Sequence, residues 1–344
     1  MGTNLDPGIR NQPIDNPRLP VYAPETDADT TLPSLNPASP YRLEPSYHPQ
    51  LAGLGPMAPA TGGATPTGET FADYVDGQGA QAIDLELMEI ANAVYDPSVD
   101  SAGNWTRVSD AELTAAGLDP ADFETPESGF RAGLFTDGNG NYVLGFSGSN
   151  ATWQDWVETN FAQGLGLFAE QYDQAPALLQ AVADSTLGDP TGQTSLRDRE
   201  ALVVTGHSLG GGLAATAALV NGIPAVTYDA SGVHDTTLRN LGLDPAAAFA
   251  RAEDGLVRRY NVAGDPLTAA QEDVWLLNNI PDAPGHEITL DDPLPPIEGP
   301  EWTWNPIEMA KRTADYLAAK AERVGDLHRQ GTMIEALQEQ RPWD

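Results

Sequence analysis

Apolar residues recur at helical spacing from Ala80 to Tyr95 (Ile83, Leu85, Leu87, Met88, Ile90, Ala91, Val94), predicting a mostly buried helix. Residues 96–129 carry no such period and read as irregular loops with one short helix from Asp110. The pattern then shortens to strands over Phe130 to Thr136 and Tyr142 to Ser147, joined by the hairpin turn DGNGN. Helices are predicted at Trp153 to Phe161 and Phe168 to Asp184, and a loop from Ser185 to Arg199 leads into the strand ending Val203-Val204-Thr205. Beyond a small-residue helix, Leu213 to Val220, come a strand at Ala225 to Tyr228, helical turns from Asp235 to Ala250 and a strand at Leu256 to Val262. The end is helical: Asn305 caps Pro306 to Arg323 with proline in the first helical position, Gly325 breaks the pattern, and Gln330 to Gln340 closes the chain. Strands alternating with helices predict an α/β fold, a mostly parallel sheet covered on both faces.

Residues 1–70 stand apart. They hold 13 of the 29 prolines and no apolar period of either kind, so they read as a Pro-rich, disordered or extended N-terminal arm preceding a domain at 71–344. The first residues, MGTNLDPGIRNQP, lack the basic start and apolar stretch of a secretory signal, and no run of the chain is long and apolar enough to span a bilayer. With no cysteine, disulfides and thiolate metal sites are excluded.

Charge narrows the partners. Fifty acids against 17 bases give a formal −33, a field that repels nucleic acid. Only Lys311 and Lys320 are lysines. The segment 306–344 concentrates Lys311, Arg312, Lys320, Arg323, Arg329 and Arg341, making it the part least repelled by an anionic surface, with docking expected through Arg323, Arg329 and their neighbours.

The candidate chemistry lies in VVTGHSLGGGLAATAALV, where Gly206-His207-Ser208-Leu209-Gly210 forms a G-x-S-x-G turn between a strand and a helix. Such a turn forces its serine into a strained backbone conformation and leaves no room for side chains two positions to either side. It also aims the Leu209 N–H, at a helix N-terminus, where an oxyanion would form. A serine nucleophile needs a base, and the base an orienting acid, following it in the order Ser, Asp or Glu, His. Asp265, in the turn Gly264-Asp265-Pro266 after a strand, is the leading acid, with Asp229 the alternative. Of five histidines, His48 lies in the arm and His207 within the turn, its ring expected to point away, which leaves His234, His286 and His328 as bases. The DGNGN turn has no glycine at its sixth position and no glutamate at its twelfth, so it is not read as a calcium loop. Neither metal nor cofactor is required.

YVLGFSGSNATWQDWVETNFAQGLG, QYDQA, VTGHSLGGGLAATAALVNG and YNVAGDPLTAAQ occur in a fixed order. Together they resemble bacterial class 3 lipases, particularly the branch of phospholipase A1-like effectors of secretion systems, over roughly residues 80–344. The resemblance implies an α/β-hydrolase fold with Ser208, Asp265 and His328 as catalytic residues, because the family's histidine precedes a closing helix that Ile334, Ala336 and Leu337 echo. His286 remains the alternative base. Ser149 takes the place of the family's second oxyanion-hole residue beside Leu209. The family's FRG phrase reads Phe146-Ser147-Gly148 here, so its arginine is missing, and Asp155-Trp156 matches the family's DW.

The implied activity is carboxylic-ester hydrolysis of lipids, a phospholipase A1-type effector or toxin that meets a membrane surface transiently. It would be cytoplasmic in its producer, then secreted or delivered into a target cell without a classical signal, with a possible immunity or delivery protein as partner. The alternatives are a general soluble esterase or triacylglycerol lipase and a non-catalytic hydrolase-fold binding module.

Overall fold

The computed structural model describes residues 69–148, 161–272 and 281–344 of the 344. The proposed arm lies outside these residues, except at its final two positions, as does most of the helix expected at Trp153 to Phe161.

Nine strands form the sheet among the described residues: β1 (Ser101–Ala102), β2 (Trp105–Arg107), β3 (Glu124–Thr125), β4 (Phe130–Thr136), β5 (Tyr142–Phe146), β6 (Leu202–His207), β7 (Ala225–Tyr228), β8 (Val257–Val262) and β9 (His286–Leu290). Their spatial order is β1-β2-β4-β5-β6-β7-β8-β9, with β3 pairing β4. Strands β1 to β5 meet antiparallel, and β5 to β9 run parallel. The hairpin β4–β5 turns as expected. The Asp137 carboxylate there accepts the N–H groups of Asn139 (2.8 Å) and Asn141 (3.2 Å), which is why an acid stands in the turn.

Alternation along the strands builds two layers. Leu134, Leu144 and Val204 face a core formed with the helices Phe161–Asp184 and Leu209–Asn221. Their neighbours Phe135, Val143 and Val203 face the other core, with the helices Ile83–Ala93 and Gln330–Gln340. The mostly parallel sheet is therefore covered on both faces, as the pattern predicts.

Three differences from the sequence expectation have physical causes. The segment 96–129 contributes β1, β2 and β3, each too short to carry a period. The helix after Ser208 begins at Leu209 rather than Leu213, because the three glycines at 210–212 are accommodated by close packing. Finally, Gly325 does not break its helix, which runs from Pro306 to Leu327 and ends at His328. One glycine inside a long helix costs only about 1 kcal/mol, and the Asn305 cap, accepting the Ile307 N–H at 3.1 Å, sets the start.

A buried ion pair joins the start of the domain to the sheet. Asp84, in the first turn of Ile83–Ala93, meets Arg258 of β8 through two bonds of 2.6 and 2.9 Å, both side chains being wholly inaccessible. The Tyr260 hydroxyl donates to the same carboxylate at 2.6 Å, and Arg258 also donates to the carbonyls of Val75 (2.9 Å) and Gly77 (2.7 Å). Removing one partner strands the other charge in the core. Asp84→Ala is expected to lower unfolding stability by about 3–5 kcal/mol, seen as a lower urea midpoint. A loss below about 1 kcal/mol would show that the cluster does not hold this corner together.

Candidate active site

The turn at Ser208 has the strain its sequence demands. Ser208 sits at φ 58° and ψ −128°, between β6 and the helix Leu209–Asn221. A β-carbon on Gly206 would fall on the Gly210 carbonyl, and one on Gly210 would fall on the Phe146 carbonyl at the end of β5. Glycine is required at both positions by close backbone approach. Neighbouring segments hold the turn: the Ser208 N–H donates to Tyr228 O (3.0 Å), and Ser208 O accepts from Ser231 N (2.9 Å). Leu209 opens the helix, so its N–H has no carbonyl four residues back within that helix.

Two later segments reach this turn. Asp265, buried completely, follows β8 directly before the helix Pro266–Glu272. Its Oδ1 accepts the Thr268 N–H at 2.8 Å, and its Oδ2 lies 2.6 Å from His328 Nδ1. His328, the residue capping the helix Pro306–Leu327, places Nε2 2.8 Å from Ser208 Oγ. With the ring proton on Nδ1 and donated to Asp265, Nε2 is free to accept from the serine hydroxyl. This order of groups can draw a proton from Ser208 and stabilise the resulting imidazolium.

The other histidines lie elsewhere. His286 opens β9 and meets Glu253 at 2.8 Å, while His234 caps the helix Asp235–Asn240 by accepting the Thr236 N–H at 3.1 Å. Ser149, and with it Asp155 and Trp156, falls outside the described residues. His207, expected to point away, does not leave the site. Its buried ring lies 5.0 Å from that of His328, and the Tyr95 hydroxyl lies 3.4 Å from its Nδ1. Sequence reading missed this support because Tyr95 and His207 carry no joint motif.

Beneath His328 lies a second carboxyl. Asp229, at φ 40° at the end of β7, accepts the Val262 N–H on Oδ1 (3.0 Å). Among the described residues its Oδ2 has no hydrogen-bond partner, and it stands 4.0 Å from His207 Nε2. Burial first, and the nearby Asp265 carboxylate second, hold Asp229 well above the usual carboxylate range. His207 moves the other way, held well below the ordinary imidazole range by burial and then by His328. Burial also pushes the Tyr95 phenol up to about 12. All three shifts favour the uncharged forms of the groups under His328. Asp265 has hydrogen-bond partners on both oxygens, whereas among the described residues Asp229 has one on Oδ1 alone. One ligand atom each of His207, Asp229 and His328 lies within 4.8 Å of the others, but both His328 nitrogens already have partners, so the trio offers no open set for a metal.

A strained G-x-S-x-G turn between strand and helix on a mostly parallel sheet, with an acid and a histidine brought to it by later segments, is the α/β-hydrolase architecture. Within that class the chain belongs to the Tle-like phospholipases: the family's Tle-like phospholipase domain matches residues 86–288. It is 40% identical over 283 residues to the extracellular phospholipase A1 of Serratia liquefaciens, across 82% of this chain and 78% of that protein. It is therefore one of the bacterial phospholipase A1-like lipases. Nonglycosylated LIP2 lipase of Yarrowia lipolytica is a distant structural likeness, with a TM-score of 0.36 and 17% identity over 62% of this chain and 80% of that one.

These shifts have a consequence for stability. A carboxyl whose pKa is raised on folding stabilises the fold below about pH 4, its unfolded value, and that contribution is lost as pH rises through the folded value. His207, shifted downward, behaves oppositely: its contribution is present above about pH 6.5 and lost as pH falls. Asp229→Asn keeps an oxygen for the Val262 N–H and cannot ionise. At pH 8 this variant is expected to melt no lower than the parent, and the advantage should shrink toward pH 4. Thermal unfolding across that range checks it, and a variant markedly less stable at pH 8 would place a charged carboxylate at 229.

Proposed function

We propose that this protein cleaves acyl esters of membrane phospholipids as a phospholipase A1-type serine hydrolase, with Ser208 as nucleophile, His328 as base and Asp265 as its orienting acid. The observation that carries the reading is the continuous path Ser208 Oγ–His328 Nε2 (2.8 Å) and His328 Nδ1–Asp265 Oδ2 (2.6 Å). Membership of a phospholipase family, with a relative named for extracellular phospholipase A1 activity, supports the substrate class.

In this reading His328 takes the hydroxyl proton as Ser208 Oγ attacks the ester carbonyl. Asp265 fixes the imidazole tautomer and offsets the positive charge. The Leu209 N–H receives the developing oxyanion, with the N–H and hydroxyl of Ser149 proposed as further donors; each donor is worth about 3 kcal/mol. His328 returns the proton to the departing glycerol oxygen, releasing a lysophospholipid. Water, activated by the same histidine, then frees the fatty acid from Ser208. These steps use side chains and backbone alone.

The biological setting follows the same line. Export to act on the membranes of a target cell fits an extracellular relative, and an immunity or delivery protein would accompany such an effector. Residues 1–70 are then an arm serving export or partner recognition, with the chemistry in 71–344. Removing 1–70 is expected to leave ester turnover within about twofold of the parent, assayed on a soluble ester, because the active-site residues come from the later segment. A truncated chain that folds yet loses turnover would place part of the catalytic surface in the arm.

The central test separates the bases. Ser208→Ala and His328→Ala should each lower kcat by at least about a thousandfold, with folding intact by circular dichroism. His286→Ala should stay within about twofold of the parent, its ring being paired with Glu253 away from Ser208. Products are read as lysophospholipid and fatty acid from defined phospholipid vesicles. Turnover confined to short-chain soluble esters would leave a general esterase instead.

A further inference from the structure

Among the described residues, no helix is long and apolar enough to cross a membrane. The 22-residue helix Pro306–Leu327 nevertheless carries an exposed apolar stripe, bordered along one side by the exposed acids Glu308, Asp315 and Glu322. Its half-buried or buried positions Met309, Thr313, Tyr316, Arg323 and Leu327 face the protein, where it packs on the helices Pro266–Glu272 and Gln330–Gln340. Ile307, Ala310, Ala314, Leu317, Ala321 and Val324, spaced by three or four residues, form a single stripe, and all six are exposed. Ile307 is 81% and Leu317 59% accessible, far from the burial normal for such side chains. Just before the helix, Trp302 (62%) and Trp304 (88%) stand together in solvent, ring centroids 4.1 Å apart. An apolar strip continuing into paired indoles is the kind of exposed patch that marks an interaction site.

Charge identifies the occupant. Lys311 and Lys320 are the chain's only lysines, and at 100° per residue they fall on opposite edges of the stripe. Both are exposed, and long ammonium stems bordering an apolar strip match a headgroup layer above acyl chains. The expected docking cations are differently employed. Arg323 is drawn inward to Asp292 and the Leu294 carbonyl, and Arg329 pairs with Asp326 at 3.1 Å. Tryptophan suits the same boundary, its indole apolar in body and polar at one edge.

We propose that Trp302, Trp304 and the outward stripe Ile307–Val324 are the surface by which this enzyme lies on a phospholipid bilayer, with Lys311 and Lys320 reaching the headgroup phosphates. The proposal rests on the phospholipase reading for its purpose, and what links the two is that the same helix ends at His328, whose Nε2 lies 2.8 Å from Ser208 Oγ. The docking itself needs no catalysis. It is therefore measured separately.

The full chain carrying Ser208→Ala is floated with vesicles of phosphatidylcholine containing about one-fifth phosphatidylglycerol, and compared with the same chain bearing Trp302→Ser, Trp304→Ser and Leu317→Ser. All three sites are exposed, so the fold should persist, checked by circular dichroism. Vesicle affinity should fall at least about tenfold, whereas Lys311→Glu with Lys320→Glu should cost about threefold or more, a loss that shrinks with added salt. In the catalytically intact chain the apolar variants should lower vesicle hydrolysis in parallel yet leave soluble-ester turnover within about twofold.

Unchanged vesicle affinity overturns the proposal. So does an equal loss on the soluble ester, which would make the helix a support for His328 alone. If sedimentation shows a dimer that these variants dissolve while vesicle affinity holds, the stripe joins two copies and the lipid assignment falls. If the parent binds vesicles through this surface but releases no fatty acid, docking stands and the phospholipase reading fails.

Discussion

A left-handed backbone at a non-glycine residue is where the rest of this molecule must agree. Ser208 at φ 58° costs on the order of 1–3 kcal/mol and persists only if its surroundings leave no alternative. Three consecutive strands supply that constraint. β5 brings the Phe146 carbonyl against Gly210, β6 delivers the serine, and the end of β7 accepts its N–H at Tyr228 O. The segment after β7 closes the arrangement by donating Ser231 N–H to Ser208 O. None of these groups is reactive, yet each fixes where the hydroxyl points. The parallel sheet is thus the device that holds a strained turn, and the two cores on its faces supply the free energy that the strain consumes.

The groups meeting Ser208 come from far along the chain, His328 lying 120 residues beyond the serine and 63 beyond Asp265. Ordering so long a loop is entropically unfavourable, although the cost grows only slowly with length. What offsets it is the last helix, where Met333, Ala336 and Leu337 are fully buried against Ile83–Ala93. That helix also packs beside β8, which carries Arg258 to Asp84 and leads into Asp265. Position of the histidine and stability of the far edge are therefore one problem. The Tyr95–His207–Asp229 layer makes a related point electrostatically: packed near His328, its burial raises the Asp229 carboxyl and lowers the His207 imidazole, both shifts favouring uncharged forms.

Much of the fold was legible because its signals are local. The Ala225–Tyr228 strand and the Gln330–Gln340 helix lie where periodicity puts them, and the glycines around Ser208 announce a turn that only steric crowding explains. Signals failed where structure depends on partners remote in sequence. Strands of two or three residues, such as β1 and β3, exist only because β2 and β4 pair with them. Gly325 reads as a break, but the helix continues because its inner face is packed. Spacing alone left His234, His286 and His328 open as bases, since nothing local says which loop returns to the turn. Asp229 was weighed only as a rival acid, because its burial beside Asp265 arises from two neighbouring parallel strands.

The acidic composition acquires a different meaning once charges are placed. At −33 the chain repels any anionic surface on average, but an average field acts only beyond contact, and salt near 0.15 M confines it to about 8 Å. Within that distance the local arrangement decides. Arg258 is committed to the core, Arg323 to the loop at Asp292, and Arg312 to Glu301 and Glu308. Lys311 and Lys320 are exposed at the two edges of an apolar strip on the helix that ends at His328, the Lys320 ammonium lying 5.4 Å from the Tyr316 ring centroid. At the proposed docking strip the contact is therefore decided by exposed apolar side chains and by the balance of Lys311 and Lys320 against Glu308, Asp315 and Glu322. The same helix ends at His328, so contact along the strip is contact with the element that positions that ring.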